Sequence, residues 1–211
     1  MALIVVLGML SVVFVIATIS IRLTLLAERS ARNDRDRQVA FQAAEAALSD
    51  AELDIMGPNS AANKRCTMNW KDTAFFIDGC GASTTDKTRG LCGSNSPGTD
   101  YKPLYATINF DDSSDTTRQY ALFGEFTGRS SYIKDQAAGG LSSKNPRYII
   151  EVVRNHRAPI SVAVTGGGSP NRNIDNTGSA FLITALGYGV SDNTRVMLQA
   201  LIFKPLATPG C

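Results

Sequence analysis

The stretch MALIVVLGMLSVVFVIATISI, residues 1–21, contains no charged side chain. It passes without a helix breaker into RLTLLAERSARNDRDRQVAFQAAEAALSDAELDIM, residues 22–56. The first part is built from Val, Ile, Leu and Met, with a single Gly8 and no proline. As a helix rising about 1.5 Å per residue it covers roughly 30 Å, the hydrocarbon thickness of a bilayer. An apolar spike that continues into a charged amphipathic stretch implies a chain rooted in a membrane, or in a fibre core that resembles one. A secretory signal peptide fits less well: no basic segment stands before the apolar run, and no small-residue cleavage site follows it ahead of the charges.

Nothing interrupts the helical pattern until Gly57-Pro58, a strong stop. Phe41, Ala44, Leu48, Ala51 and Ile55 recur at spacings of three and four, the stripe by which a helix docks on a sheet. The opposite face is expected to carry Glu45, Asp50, Glu52 and Asp54 into solvent. Ala43, Ala44, Ala46 and Ala47 favour helix and allow a partner to approach closely. The expected organisation is therefore an N-terminal helix over 1–56, its first 21 residues a transmembrane or fibre-core segment, and a C-terminal domain over 57–211.

From residue 101 onward the period shortens. Segments 101–110, 119–126, 147–154, 160–164, 180–190 and 194–203 are rich in β-branched and aromatic residues. Turn clusters separate them, among them Asp111-Asp112-Ser113-Ser114, Gly139-Gly140 and Gly166-Gly167-Gly168. The last two segments read as a hairpin with a three-residue loop, Ser191-Asp192-Asn193. One long helix followed by consecutive strands predicts an α+β fold, an antiparallel sheet wrapped on the second half of the helix. Residues 57–102 form a Gly/Ser/Thr-rich loop region that can build little core and gains from a crosslink.

Four cysteines, Cys66, Cys80, Cys92 and Cys211, lie outside the spike, and none stands in a Cys-x-x-Cys pair. With a single histidine, His156, far from most of them, two disulfides in an oxidising compartment are a better reading than zinc. Three connectivities are open to four cysteines. A bridge within the stretch from Cys66 to Cys92, with Cys211 tying the tail to the body, is the preferred one. The disulfides create a conflict. Arg22, Arg29, Arg32, Arg35 and Arg37 follow the spike, and positive charge tends to mark the cytoplasmic side, whereas disulfides need the outside. A short basic leader removed from before Met1 resolves the conflict.

Here the residues carry a resemblance. Ala2-Leu3-Ile4-Val5-Val6-Leu7 resembles the start of a mature type IV pilin. Glu28-Arg29, Asn33-Asp34-Arg35-Asp36-Arg37 and Ala40-Phe41-Gln42-Ala43-Ala44-Glu45-Ala46-Ala47-Leu48 are similar to the N-terminal region of PilX-type minor pilins. Phe181-Leu182-Ile183-Thr184-Ala185-Leu186-Gly187-Tyr188-Gly189 with Val196-Met197-Leu198-Gln199 is similar to that family's last strands. The match covers roughly the first 55 and last 30 residues. The resemblance implies a fibre subunit of Gram-negative bacteria, held in the inner membrane with its C-terminal domain periplasmic before assembly. It also implies a leader cut by a prepilin peptidase that methylates the new N-terminus, here Met1. Its partners would be other minor pilins, the major pilin and a large tip adhesin.

One position departs from the pattern. Most pilins carry glutamate at the fifth mature position, thought to pair with a neighbour's amino terminus; this chain has Val5. An unpartnered carboxylate is costly in hydrocarbon, so its loss suits a subunit with no neighbour to satisfy, at or near a pilus tip. The implied assembly interface is Met1 and Val5 in the spike with Phe41, Leu48 and Ile55 beyond it.

Other function classes find less support. A net charge of +2, from 21 Lys+Arg and 19 Asp+Glu, favours neither a nucleic-acid binder nor an enzyme for acidic substrates. A membrane-anchored extracytoplasmic enzyme would need a base beside a nucleophile, paired carboxylates or metal ligands, and His156 reads as a loop residue. Gly166-Gly167-Gly168 lacks the phosphate-cradling pattern. Asp111, Asp112 and Asp115 are oxygen-rich but lack EF-hand order. Trp70, Phe75 and Phe76 read as a small core under the disulfide loop. No cofactor or metal is expected. The nearest structural alternative is a tip pseudopilin of a type II secretion system, which usually carries a large inserted α-domain.

Overall fold

Helix α1 runs unbroken over Ala2–Met56, 55 residues, about 80 Å at the ordinary helical rise. The computed structural model of the chain describes residues 2–57, 64–65, 67–70, 72–93, 104–130, 141–153 and 179–204. Met1, Cys66, His156, Gly166, Gly167, Gly168, Cys211 and the strand expected at 160–164 lie outside the described residues. The helix stops where the sequence places its breaker. Gly57 takes φ 92°, the left-handed cap conformation that glycine adopts without a Cβ clash. Its N–H donates to the Leu53 carbonyl at 2.9 Å. The Lys204 ammonium donates to the Ile55 carbonyl, serving one of the acceptors that a helix end leaves open.

The sheet contains β1 (Ile77–Asp78), β2 (Leu91–Gly93), β3 (Ala121–Leu122), β4 (Arg147–Val153), β5 (Ser179–Tyr188) and β6 (Arg195–Lys204). Its order is β1-β2-β4-β5-β6, with β3 also on β4. The expected antiparallel sheet is present in β4, β5 and β6, where Arg147 faces Leu186 and Tyr188 faces Arg195. The far edge of β4 is divided. Near its start it pairs antiparallel with β3 through Tyr148 and Ala121, and further on it pairs parallel with β2 through Ile150 and Leu91. The sheet is therefore mixed, which the sequence reading did not anticipate.

Two expected strands are corrected. Within 101–110, residues Leu104–Ala106 form a 3₁₀ turn, while 101–103 lie outside the described residues. Within 119–126 only Ala121–Leu122 is strand. Aromatic residues in both segments (Phe110, Tyr120, Phe123 and Phe126) are buried, so their apolar content serves packing rather than a ladder. The β5–β6 connection is also longer than three residues. The strands end at Tyr188 and resume at Arg195, and Gly189 N–H closes the loop on the Thr194 carbonyl at 2.9 Å.

Strand alternation gives the sheet two working faces. On the inner face, Tyr148, Ile150 and Val152 of β4 and Phe181, Ile183 and Ala185 of β5 pack with Ala47, Ala51 and Ile55 of α1. Trp70 and Phe76 join this main core, with Trp70 edge-on to Phe181 at 5.5 Å. Phe75 is partly buried against it. These aromatics are thus not a separate core beneath the disulfide. The outer face holds Ile149, Leu186 and Tyr188 under Leu104, Ile108, Phe110 and Tyr120. Cys80 and Cys92 belong to that second cluster and are bonded to one another, a crosslink inside the stretch expected to hold one. Closing a loop of this size contributes about 3 kcal/mol in the chain-entropy account.

The inner contact is unusually close at one strand end. A Cβ on Gly187 would strike the backbone of Ala40, Ala43 and Ala44, and one on Gly189 would strike Asp36. Gly187 faces alanines, so helix and strand approach almost backbone to backbone. Gly187→Ala should therefore push α1 off β5 and lower stability by about 1–3 kcal/mol, the usual cost of over-packing. Denaturant unfolding checks it, and a variant as stable as the parent contradicts the close approach.

Candidate functional site

The two halves of α1 have opposite environments. Between Leu3 and Leu26 the large apolar residues are 53% to 73% exposed, Val5 among them. Beyond residue 38 the same helix buries Val39, Ala40, Ala43, Ala44, Ala47, Asp50, Ala51, Asp54 and Ile55. Among the described residues no other element covers the first half, which is long and apolar enough to cross a membrane. So much unburied hydrocarbon on one element is a surface made for lipid or for other helices. Between the halves, Arg22, Arg29, Arg32, Arg35 and Arg37 are exposed, and Arg32 reaches back one turn to Glu28 at 2.5 Å.

The docked half turns a different stripe to the sheet from the one the sequence suggested. Ala44, Ala51 and Ile55 are buried as expected, but Phe41 is 43% exposed and Leu48 is only partly covered. The helix instead presents its small residues, because these allow the close approach at Gly187. Of the proposed interface residues, Ile55 therefore faces the core, Phe41 faces outward, and Leu48 sits at the margin.

Asp50 and Asp54, expected in solvent, are buried on the docked face. Asp50 accepts from Gly124 N–H at 2.7 Å and Thr127 hydroxyl at 2.6 Å. Asp54 pairs with Arg65 at 2.5 Å, both side chains fully buried, and accepts from Tyr148 hydroxyl at 3.1 Å. Arg65 also donates to the carbonyls of Lys87 and Arg89 and lies flat on the Phe126 ring, 3.4 Å from its centroid. Burial pushes both aspartate pKa values up; at Asp54 the charge of Arg65 is the strongest opposing influence. These two carboxylates, one turn apart, tie the helix to the segments that carry no long strand.

Asp36 forms a third tie, near the other end of the sheet. It accepts from the backbone N–H groups of Val190 and Ser191 and from the Thr194 hydroxyl. The β5–β6 turn is thus clamped on the helix at the C-terminal end of the arginine band. The Thr194 hydrogen bond, aided by Ser191 and Val190 against some burial, lowers the Asp36 pKa.

The remaining sequence candidates are dispersed. Asp111 accepts from Arg195 at 2.8 Å, Asp112 from Thr117 at 2.7 Å, and Asp115 pairs with Arg118 at 2.9 Å. No three metal-ligating side chains come together among the described residues.

Residues 1–49 match the PilX N-terminal family, and residues 56–204 match the type IV pilus assembly protein PilX C-terminal family. The chain belongs to the PilX family. No curated protein and no solved structure matches it. The family is a structural component of type IV pilus assembly. That agrees with a site made of one unburied helix surface and three carboxylate ties. Sequence reasoning missed Asp36, Asp50, Asp54, Arg65 and Gly187. One signal was present: Asp50 and Asp54 fall one turn apart beside Ala47 and Ala51, on the small-residue side of the helix.

Two outcomes follow for the PilX chain. Removing either partner of the buried Asp54–Arg65 pair leaves an uncompensated charge, so Arg65→Ala or Asp54→Ala should each lower stability by about 3–5 kcal/mol. The double variant should lose much less than the sum in denaturant unfolding; additive losses contradict the coupling. The Asp36 carboxyl is shifted in the opposite direction to the buried Asp50 and Asp54. Its folded value lies below the unfolded one, so its contribution is complete above about pH 4 and disappears as the pH falls through the folded value. In acid unfolding, Asp36→Asn should flatten that part of the profile, whereas a profile identical to the parent's contradicts the clamp.

Proposed function

We propose that this chain is a minor pilin that helps to initiate pilus assembly and takes a place at or near the pilus tip. In this reading it waits in the inner membrane with its C-terminal domain on the periplasmic side, then joins other minor pilins and the major pilin through the apolar half of α1. Its sheet domain is presented outward, to a large adhesin-like partner. The observation that carries the reading is the continuity of α1: one helix is docked at one end and bare at the other. A bare apolar helix of this length is stable only in lipid or among other helices.

Val5 supports the tip position. At the place where most pilins have glutamate, it removes the need for a neighbour's amino terminus, and an unmatched carboxylate there would be costly. Phe41, exposed on the outward side of α1, is the residue of the docked half best placed to meet a neighbouring subunit, with Leu48 beside it. A tip pseudopilin of a secretion system is less well supported, since α1 is the only α-helix among the described residues.

Deleting the gene should sharply reduce the number of surface fibres counted by electron microscopy, and re-expression should restore them. Val5→Glu should impair restoration or leave it unimproved; a clear increase in fibres contradicts the tip reading. Phe41→Ala should lower restoration without changing the stability of the isolated chain.

A further inference from the structure

The outward face of the docked half of α1 carries the counterpart of a pattern in the bare half. Glu45 and Glu52 stand seven residues apart, with Leu48 between them. Arg22 and Arg29 also stand seven apart, with Leu25 in the same relative place. Seven residues are nearly two helical turns, so each triplet lies along one narrow stripe of the helix. Both stripes are open. All four charged side chains are exposed, Leu25 is 53% exposed and Leu48 is half-buried. Arg32 pairs with Glu28 on the same helix. By contrast, Arg22, Arg29, Glu45 and Glu52 have no ion-pair partner among the described residues.

The two stripes are opposite in charge and alike in their central leucine. Between parallel helices, a displacement of 23 residues sets Glu45 beside Arg22, Leu48 beside Leu25 and Glu52 beside Arg29. No other displacement gives both glutamates an arginine of α1. It amounts to about 35 Å along the axis. The sheet domain is tied to the helix from Asp36, through Asp50, to the carbonyl of Ile55, a span of about 30 Å. Two copies displaced by more than that span set their sheet domains one beyond the other. The bare half of the upper copy then runs along the outward face of the lower copy's docked half. We propose that this face binds the bare half of a second copy of this chain, displaced about 35 Å along the axis, with Arg22 and Arg29 of one copy on Glu45 and Glu52 of the other. Exposed ion pairs contribute little affinity, so the charges set the register and the leucines and their neighbours supply the contact. That the two copies meet in a fibre rests on the assembly role proposed above.

The test places a photo-crosslinking residue at Ser49, which is exposed, in the full chain in cells that assemble fibres. In the proposed register it lies against Leu26 of the second copy. Sheared fibres are digested with trypsin and the adducts mapped by mass spectrometry. The expected adduct joins position 49 to residues 23–29 of this chain, the peptide released by cleavage after Arg22 and Arg29. Within one copy those positions sit on the same unbroken helix, about 35 Å apart, so the adduct can form only between copies. Glu45→Arg with Glu52→Arg should lower its yield at least fivefold, and adding Arg22→Glu and Arg29→Glu should restore it. If the fourfold variant does not enter the membrane, Glu45→Gln with Glu52→Gln reads the same loss. Adducts only with other subunits, adducts only elsewhere on the helix, or a yield indifferent to these charges overturns the proposal. In those cases the presence of the chain in the fibre fraction leaves the assembly role standing. A chain missing from that fraction overturns both.

Discussion

A single helix has to satisfy two solvents. Over its first half α1 exposes hydrocarbon on all sides, and over its second half it buries a narrow small-residue face against the sheet. Because no breaker separates the halves, whatever grips the apolar end is mechanically joined to the sheet domain. The docked half must therefore hold firmly through a contact that offers little apolar area. Alanines bring helix and strand close, but each buries little surface. The shortfall is made up by fixed polar ties at defined points along the helix.

Those ties divide the work by position. Asp36 holds the turn between β5 and β6, the region nearest the membrane-compatible segment. Asp50 and Asp54 hold residues 65, 124 and 127, segments with little regular structure of their own. Buried ionic groups are costly unless every lone pair and proton has a partner, and Arg65 comes near that ideal, with a carboxylate, two carbonyls and an aromatic face. The Cys80–Cys92 crosslink serves the outer cluster in the same spirit, fixing a region where only short strands form. Irregular segments are thus ordered by charge and covalent closure where ladders are absent.

The sequence displayed whatever depends on local periodicity or on strong punctuation. The helix from residue 2 to its stop at Gly57, the three long strands and the expectation of a crosslink somewhere within the stretch from Cys66 to Cys92 all belong to that class. It misled where the deciding partner is distant. Phe41 and Leu48 look like docking residues by hydrophobicity, yet Gly187 lies some 140 positions away and selects alanine instead. Asp50 and Asp54 look solvated until Gly124, Thr127 and Arg65 are brought to them. The aromatic runs near 101–110 and 119–126 alternate enough to pass for strands, but their rings fill space instead, Phe110 and Tyr120 above the outer face and Phe126 in the main core. The short parallel pairing of β2 with β4 leaves no pattern, since two or three residues cannot show a period. For the proposed assembly surface the same division holds: the apolar spike was plain, whereas which side of the docked half stays exposed required the structure.

The central claim is that the bare half of α1 exchanges lipid for sister helices. A photo-crosslinking residue at Leu10, which is 61% exposed, tests this directly in cells that assemble fibres. Adducts between this chain and other pilin subunits, recovered in the sheared fibre fraction, are the predicted result. Crosslinks confined to lipid, with the chain absent from that fraction, contradict the account.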